Sequence, residues 1–110
     1  SLLQDEEDQV AELRVRGSER VNRLALGSSA LKRGVLVGRS DRCASILKDH
    51  AISRVHLLVI ALGEDIIGVD TASTNGVFCD PHAKVATSVI MLSCGEQAAL
   101  VDEDASVSLR

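Results

Sequence analysis

Three short segments carry most of the chemically versatile side chains of this sequence: Gly38-Arg39, Ser53-Arg54-Val55-His56 and Ser73-Thr74-Asn75-Gly76. Each adjoins an apolar, strand-like run. Two guanidinium groups, two or three hydroxyls and one amide are therefore candidates to converge on loops at one end of a β-structure. That set suits capture of a phosphate monoester, because Arg offers a planar fork of donors and hydroxyls add short hydrogen bonds. None of these groups is an obvious engine for breaking bonds. The chain reads first as a binding module.

An enzyme reading starts from Ser53, His56 and Asp70, which supply the residue types of a hydrolytic triad. Ser53 and His56, however, stand three apart at the start of a strand, and no Gly-x-Ser-x-Gly elbow accompanies them. The three histidines and three cysteines are scattered without metal-ligand spacing. Neither catalysis nor a metal is expected, and no cofactor is implied.

Composition narrows the field further. A chain of 110 residues has room for one core. Hydrophobic content of 45% and charged content of 25% are ordinary, but Phe78 is the sole aromatic residue. The core must be built from Val, Leu, Ile and Ala, so each strand buries less area than an aromatic-rich one. The net charge of −4 is uneven: between Lys32 and His56 the cations Lys32, Arg33, Arg39, Arg42, Lys48 and Arg54 face only Asp41 and Asp49, a local +4. A basic island in an acidic chain argues for a local anionic ligand. With no Tyr or Trp and no basic stripe, nucleic acid is a poor candidate.

Cys43, Cys79 and Cys94 are odd in number and form no Cys-x-x-Cys pair. They read as small hydrophobes in the cytoplasm or another reducing compartment. No apolar run is long enough for a membrane span, and no signal-peptide pattern opens the chain. Met91 is the only methionine, which suggests a piece of a larger protein.

The elements that must position these groups are short and β-like. Residues 1–9, with Asp5, Glu6, Glu7 and Asp8, read as a mobile acidic lead-in to a domain over 10–110. Residues 11–16 alternate apolar and charged side chains, the period of a half-buried strand, and 21–26 follow after a turn. A loop is expected over 27–34, then a short strand at 35–37. Residues 56–62 form the strongest buried run, with 66–70 returning as its hairpin partner. Residues 77–79, 85–92, 97–101 and 106–109 supply further strands, with Asp80-Pro81-His82 as a breaker. Many short strands with frequent turns indicate an all-β, antiparallel sandwich.

These residues resemble the forkhead-associated (FHA) domain, a phosphothreonine-peptide reader. Gly38-Arg39 is similar to the glycine-arginine that ends that family's third strand. The run CASILKDHAISRVH from Cys43 to His56 has the family's spacing up to Ser-Arg-x-His, and DTASTNGVF from Asp70 to Phe78 resembles its segment ending in Ser-Thr-Asn-Gly. Strong likeness covers about 35–78, with an echo at Leu92-Ser93-Cys94-Gly95-Glu96. The resemblance implies a sandwich of about eleven strands with the site on loops at one end. It implies that Arg39 and Ser53 bond the phosphate, that Thr74 adds a hydroxyl or backbone contact, and that Arg54 strengthens the positive potential. Asn75 would hold the peptide backbone, His56 would brace the loops from beneath, and Gly38 and Gly76 would permit tight backbone paths. The implied partner is a phosphothreonine-containing protein, or the parent chain itself, acting downstream of a Ser/Thr kinase.

Several positions depart from the family pattern. Ser45 replaces an inward aliphatic residue, Ala44 and Glu96 stand where Asp is common, and Val77 stands for a frequent Thr. Ala72 replaces a usual Gly, so a position requiring φ > 0 would strain the loop before Asn75. Blander roles are also open: Ser53 as a turn cap, Asn75-Gly76 as a hairpin turn, and Arg42, Lys48, His50 and His82 as solvated surface groups. The alternative function is a phosphate-independent interaction or oligomerisation module, using 86–92 as an exposed apolar edge.

Overall fold

A computed structural model describes residues 9–102 and 104–110. The expected acidic lead-in therefore falls outside the described residues, except for Gln9, which begins the first strand. Strand β1 (Gln9–Arg16) forms a hairpin with β2 (Val21–Gly27), followed by a short helix α1 (Ser28–Arg33). Then come β3 (Val35–Gly38), β4 (Ser45–Ile46), β5 (Leu57–Leu62), β6 (Asp65–Asp70), β7 (Val77–Phe78) and β8 (Val89–Met91). A 3-10 turn at Leu92–Cys94 leads to β9 (Ala98–Leu100) and β10 (Ser106–Leu109).

The strands form two five-stranded sheets, one ordered β2-β1-β10-β9-β7 and the other β4-β3-β5-β6-β8. Alternation decides which side of each strand faces inward. Leu13 and Val15 of β1, Val107 of β10, Val35 and Val37 of β3, and Leu57 and Val59 of β5 are all fully or almost fully buried in one aliphatic core. Each such side chain contributes roughly 1.5–3 kcal/mol by leaving water. Phe78 takes no part in this cluster, which is wholly aliphatic.

The all-β sandwich stands, with four corrections. The described residues form ten strands rather than about eleven. The pairing is not wholly antiparallel, because the two-residue β4 runs parallel to β3, Val37 opposite Ser45. The expected loop at 27–34 contains α1, whose Ala30 and Leu31 are buried. Six residues between Gly27 and Gly34 are too few to display a helical period, yet burial of two apolar side chains holds the turn in place. The expected strand over 85–92 is ordered as β8 only at Val89–Met91.

Ser45 is 5% exposed, and its hydroxyl oxygen has no partner among the described residues. A serine at this inward position costs desolvation that an aliphatic residue would avoid. Ala72 adopts φ +62, so a non-glycine residue does occupy the left-handed region in the β6–β7 loop.

Candidate functional site

Three loops meet at one end of the sandwich: β3–β4, the long β4–β5 connection, and β6–β7. Their contacts are mostly main-chain bonds, beginning where β3 ends. The Arg39 N–H donates to the Ser53 carbonyl at 3.0 Å, and the Ser40 N–H donates to the Arg54 carbonyl at 3.0 Å. These two bonds extend β3 as a short ladder against the 53–54 segment. Gly38 permits the approach: a Cβ there would collide with the Arg54 carbonyl oxygen. The buried Cys43 adds its thiol, which donates to that same carbonyl at 3.2 Å. Burial pushes the Cys43 pKa up, keeping the thiol protonated for this role.

His56 fastens the second pair of loops. It is fully buried, its Nδ1 accepts the Ser53 N–H at 3.0 Å, and its Nε2 lies 2.6 Å from the Gly76 carbonyl oxygen. An acceptor at Nδ1 and a donor at Nε2 describe a neutral ring with its proton on Nε2. Gly76 itself sits at φ +88, which a side chain would strain, and its N–H donates to the Ser73 hydroxyl. Asp70 accepts the Ser73 N–H, and the Thr71 hydroxyl donates to the Val55 carbonyl at 2.7 Å. The β6–β7 loop is thereby tied at both ends.

On this frame the candidate binding groups lie side by side. The Thr74 N–H donates to the Ser53 hydroxyl oxygen at 2.9 Å. One lone pair of that hydroxyl is thus occupied, while its proton can be donated outward. Arg39 is half-buried, and its Nε–H donates to the Ile52 carbonyl at 3.0 Å, which fixes the guanidinium. Four N–H donors remain on its two Nη atoms. Asn75 donates from Nδ2 to the Ala51 carbonyl at 2.8 Å and keeps a second N–H and its oxygen for a ligand. Arg54, Thr74 and Asn75 are exposed.

The structure thus brings Arg39, Ser53, Arg54, Thr74 and Asn75 to one rim, with Gly38, His56 and Gly76 beneath it. Two rival readings of the sequence do not match this arrangement. Asn75-Gly76 is not a hairpin turn, because β6 and β7 belong to different sheets. Ser53, His56 and Asp70 form no relay: the serine hydroxyl meets Thr74, both histidine nitrogens meet main chain, and Asp70 meets the Ser73 N–H. Residues that the sequence did not single out are Ser40, Cys43, Ala51, Ile52, Thr71 and Ser73. Three of them, Ser40, Ala51 and Ile52, act through main-chain groups, which leave no signature in side-chain type, whereas Cys43, Thr71 and Ser73 act through side chains within the motif runs 43–56 and 70–78.

The site is an open rim rather than an enclosed cavity. A cavity of about 680 Å³ lies beside it, between β2 and the β4 region, lined by Leu24, Ser45, Leu47 and Ile52. None of the five rim residues borders that cavity. An exposed donor cluster suits an anionic group on a chain better than a small apolar molecule.

The sequence profile of the FHA domain matches residues 35–91, just over half of the chain and all three segments of the rim. The protein belongs to the FHA-domain family. Solved FHA structures share its fold. The Mycobacterium tuberculosis Rv1747 FHA-1 domain superposes with a TM-score of 0.66 at 22% identity, covering 90% of this chain and 96% of the other. The FhaA FHA domain, solved in complex with the intracellular domain of Rv3910, gives 0.67 at 20% identity, covering 92% and 100%. An FHA domain from a structural and functional study of phosphothreonine-dependent interactions gives 0.63 at 22% identity, covering 90% and 95%. No curated protein shows significant sequence similarity. FHA domains are interaction modules, and among the described residues no helix is long and apolar enough to cross a membrane.

Proposed function

We propose that this FHA domain binds a phosphothreonine-containing segment of a partner protein, or of its own parent chain, and so recruits or assembles in response to a Ser/Thr kinase. The observation that carries this reading is that the Arg39 guanidinium is fixed by the Ile52 carbonyl, one residue before Ser53, on loops tied by the Arg39 N–H to Ser53 carbonyl bond. Phosphothreonine brings about −1.5 to −2 charges and three acceptor oxygens. Arg39 supplies the forked donor, Ser53 a hydroxyl proton, Thr74 a further hydroxyl, and Arg54 a second cation. Charge-assisted bonds contribute roughly 1.5–3 kcal/mol each, so three or four support micromolar binding, about 8 kcal/mol. Asn75, anchored to Ala51, is placed to hold peptide main chain beside the phosphate. FHA domains crystallised with a partner's intracellular domain or studied for phosphothreonine-dependent contacts support the same direction.

The test is a phosphothreonine-oriented peptide library screened against the wild type and Arg39→Ala. The wild type should select phosphopeptides and the variant none; equal retention by both would refute the assignment.

A second reading rests on Val85 and Val89, 67% and 46% exposed at and before edge strand β8. An apolar edge of this kind can pair with another chain independently of phosphate. Self-association that grows with concentration and is unaffected by Arg39→Ala would favour it.

A further inference from the structure

A second basic surface lies on the outer face of the first sheet, built from side chains that the rim does not use. Glu12, Arg14 and Arg16 alternate with the buried Leu13 and Val15 along β1 and so face away from the core. Arg14 stands directly opposite Arg23 of β2 on one side and Ser108 of β10 on the other. Arg16, in the next outward position, stands opposite Val21 and Ser106. Directly opposed residues of antiparallel strands share a face, with Cβ atoms about 4.5–5.5 Å apart. Three guanidinium groups are therefore gathered on two neighbouring strands.

Among the described residues no carboxylate forms an ion pair with Arg14, Arg16 or Arg23, and the Arg14 Nε is buried without a hydrogen-bond partner. Glu12, on the same face, leaves its own Oε1 unpartnered as well. Like charges directly opposed across a ladder are destabilising. Folding alone gives no reason for arginine at both Arg14 and Arg23.

We propose that this face binds an acidic, Asp/Glu-rich segment of a partner protein. Carboxylates accept the arginine fork in bidentate pairs. Alternate side chains of an extended segment recur about every 6.5–7 Å, which is also the spacing of Arg14 and Arg16 along β1. The Ser106 and Ser108 hydroxyls add donors on the adjoining strand. The net charge of −4 on the whole chain repels a long polyanion or an anionic membrane, whereas a short acidic stretch meets only the local field. The surface requires no phosphate and stands independently of the rim.

The test is titration of isotopically labelled protein with a decaglutamate peptide at low salt, read by amide and arginine side-chain NMR shifts. Shifts should cluster at Arg14, Arg16, Arg23, Ser106 and Ser108 and fade as salt rises. Arg23→Glu and Arg23→Gln should each weaken decaglutamate binding about tenfold or more, whereas Arg39→Ala should leave it unchanged. Because Arg23→Glu replaces a like-charge pair by an opposite one, it should also raise the melting temperature. Shifts confined to residues 39–54, or undiminished affinity in both Arg23 variants, would overturn the proposal. So would binding to phosphatidylserine vesicles with no response to decaglutamate.

Discussion

The Ser53 hydroxyl oxygen accepts the Thr74 N–H at 2.9 Å, joining loops 21 positions apart in the chain. One side chain therefore ties the two loops together and, in the proposed binding mode, also presents a proton to the phosphate. Ser53→Ala removes both functions. The expected loss in phosphopeptide affinity is about 1.5–3 kcal/mol, with a smaller loss in folding stability of about 0.5–1.5 kcal/mol. Calorimetric binding and denaturant unfolding measure the two separately.

His56 is buried with both nitrogens engaged, so His56→Phe should be costly despite its similar size. The Ser53 N–H and the Gly76 carbonyl would each lose a partner, at about 1–3 kcal/mol per group. Urea unfolding should show a shifted midpoint with little change in slope. A histidine replaceable without loss would contradict its bracing role.

Ala72, at φ +62, holds a conformation that costs an L-residue roughly 1–2 kcal/mol. Ala72→Gly relieves this but raises the entropy of the unfolded chain, worth about 0.4–1 kcal/mol. The net expectation is a stabilisation of up to about 1.5 kcal/mol, seen as a higher melting temperature.

The cysteines should differ in reactivity. Cys43 is buried and its pKa is raised chiefly by desolvation, so iodoacetamide should spare it in the native protein while modifying the exposed Cys79 and Cys94. Desolvation first, then repulsion and hydrogen bonding by Glu96 and repulsion by Asp80, also raise the Cys79 pKa. Glu96→Gln should accordingly speed its alkylation. The native Cys43 keeps a proton that the unfolded chain releases above about pH 8.5. Its share of stability is thus complete below that pH and is lost as pH rises through the raised native value. Mass mapping of the alkylated sites checks the order.

Much of the fold is legible along the chain because burial and alternation coincide. Leu13 and Val15 mark β1, and the run through Leu57 and Val59 marks β5. The elements that escape notice are too short for a period: α1 with six residues and β4 with two. The rim is legible because Arg39, Ser53, Thr74 and Asn75 fall in recognisable segments. Its supports are less so, since the Ile52 and Ala51 carbonyls act through main chain alone. The arginine face is invisible for another reason. Arg14 and Arg23 become neighbours only through the register of the β1–β2 hairpin.

The grip of Arg39 and Ser53 on one phosphate is tested most directly by calorimetric titration of a library-selected phosphothreonine peptide, beside its unmodified threonine counterpart, into wild type and Arg39→Ala. Micromolar binding of the phosphopeptide to wild type, with no measurable heat from the threonine peptide or from the variant, is the predicted result. Equal affinities for the two peptides, or full affinity retained by Arg39→Ala, would contradict it.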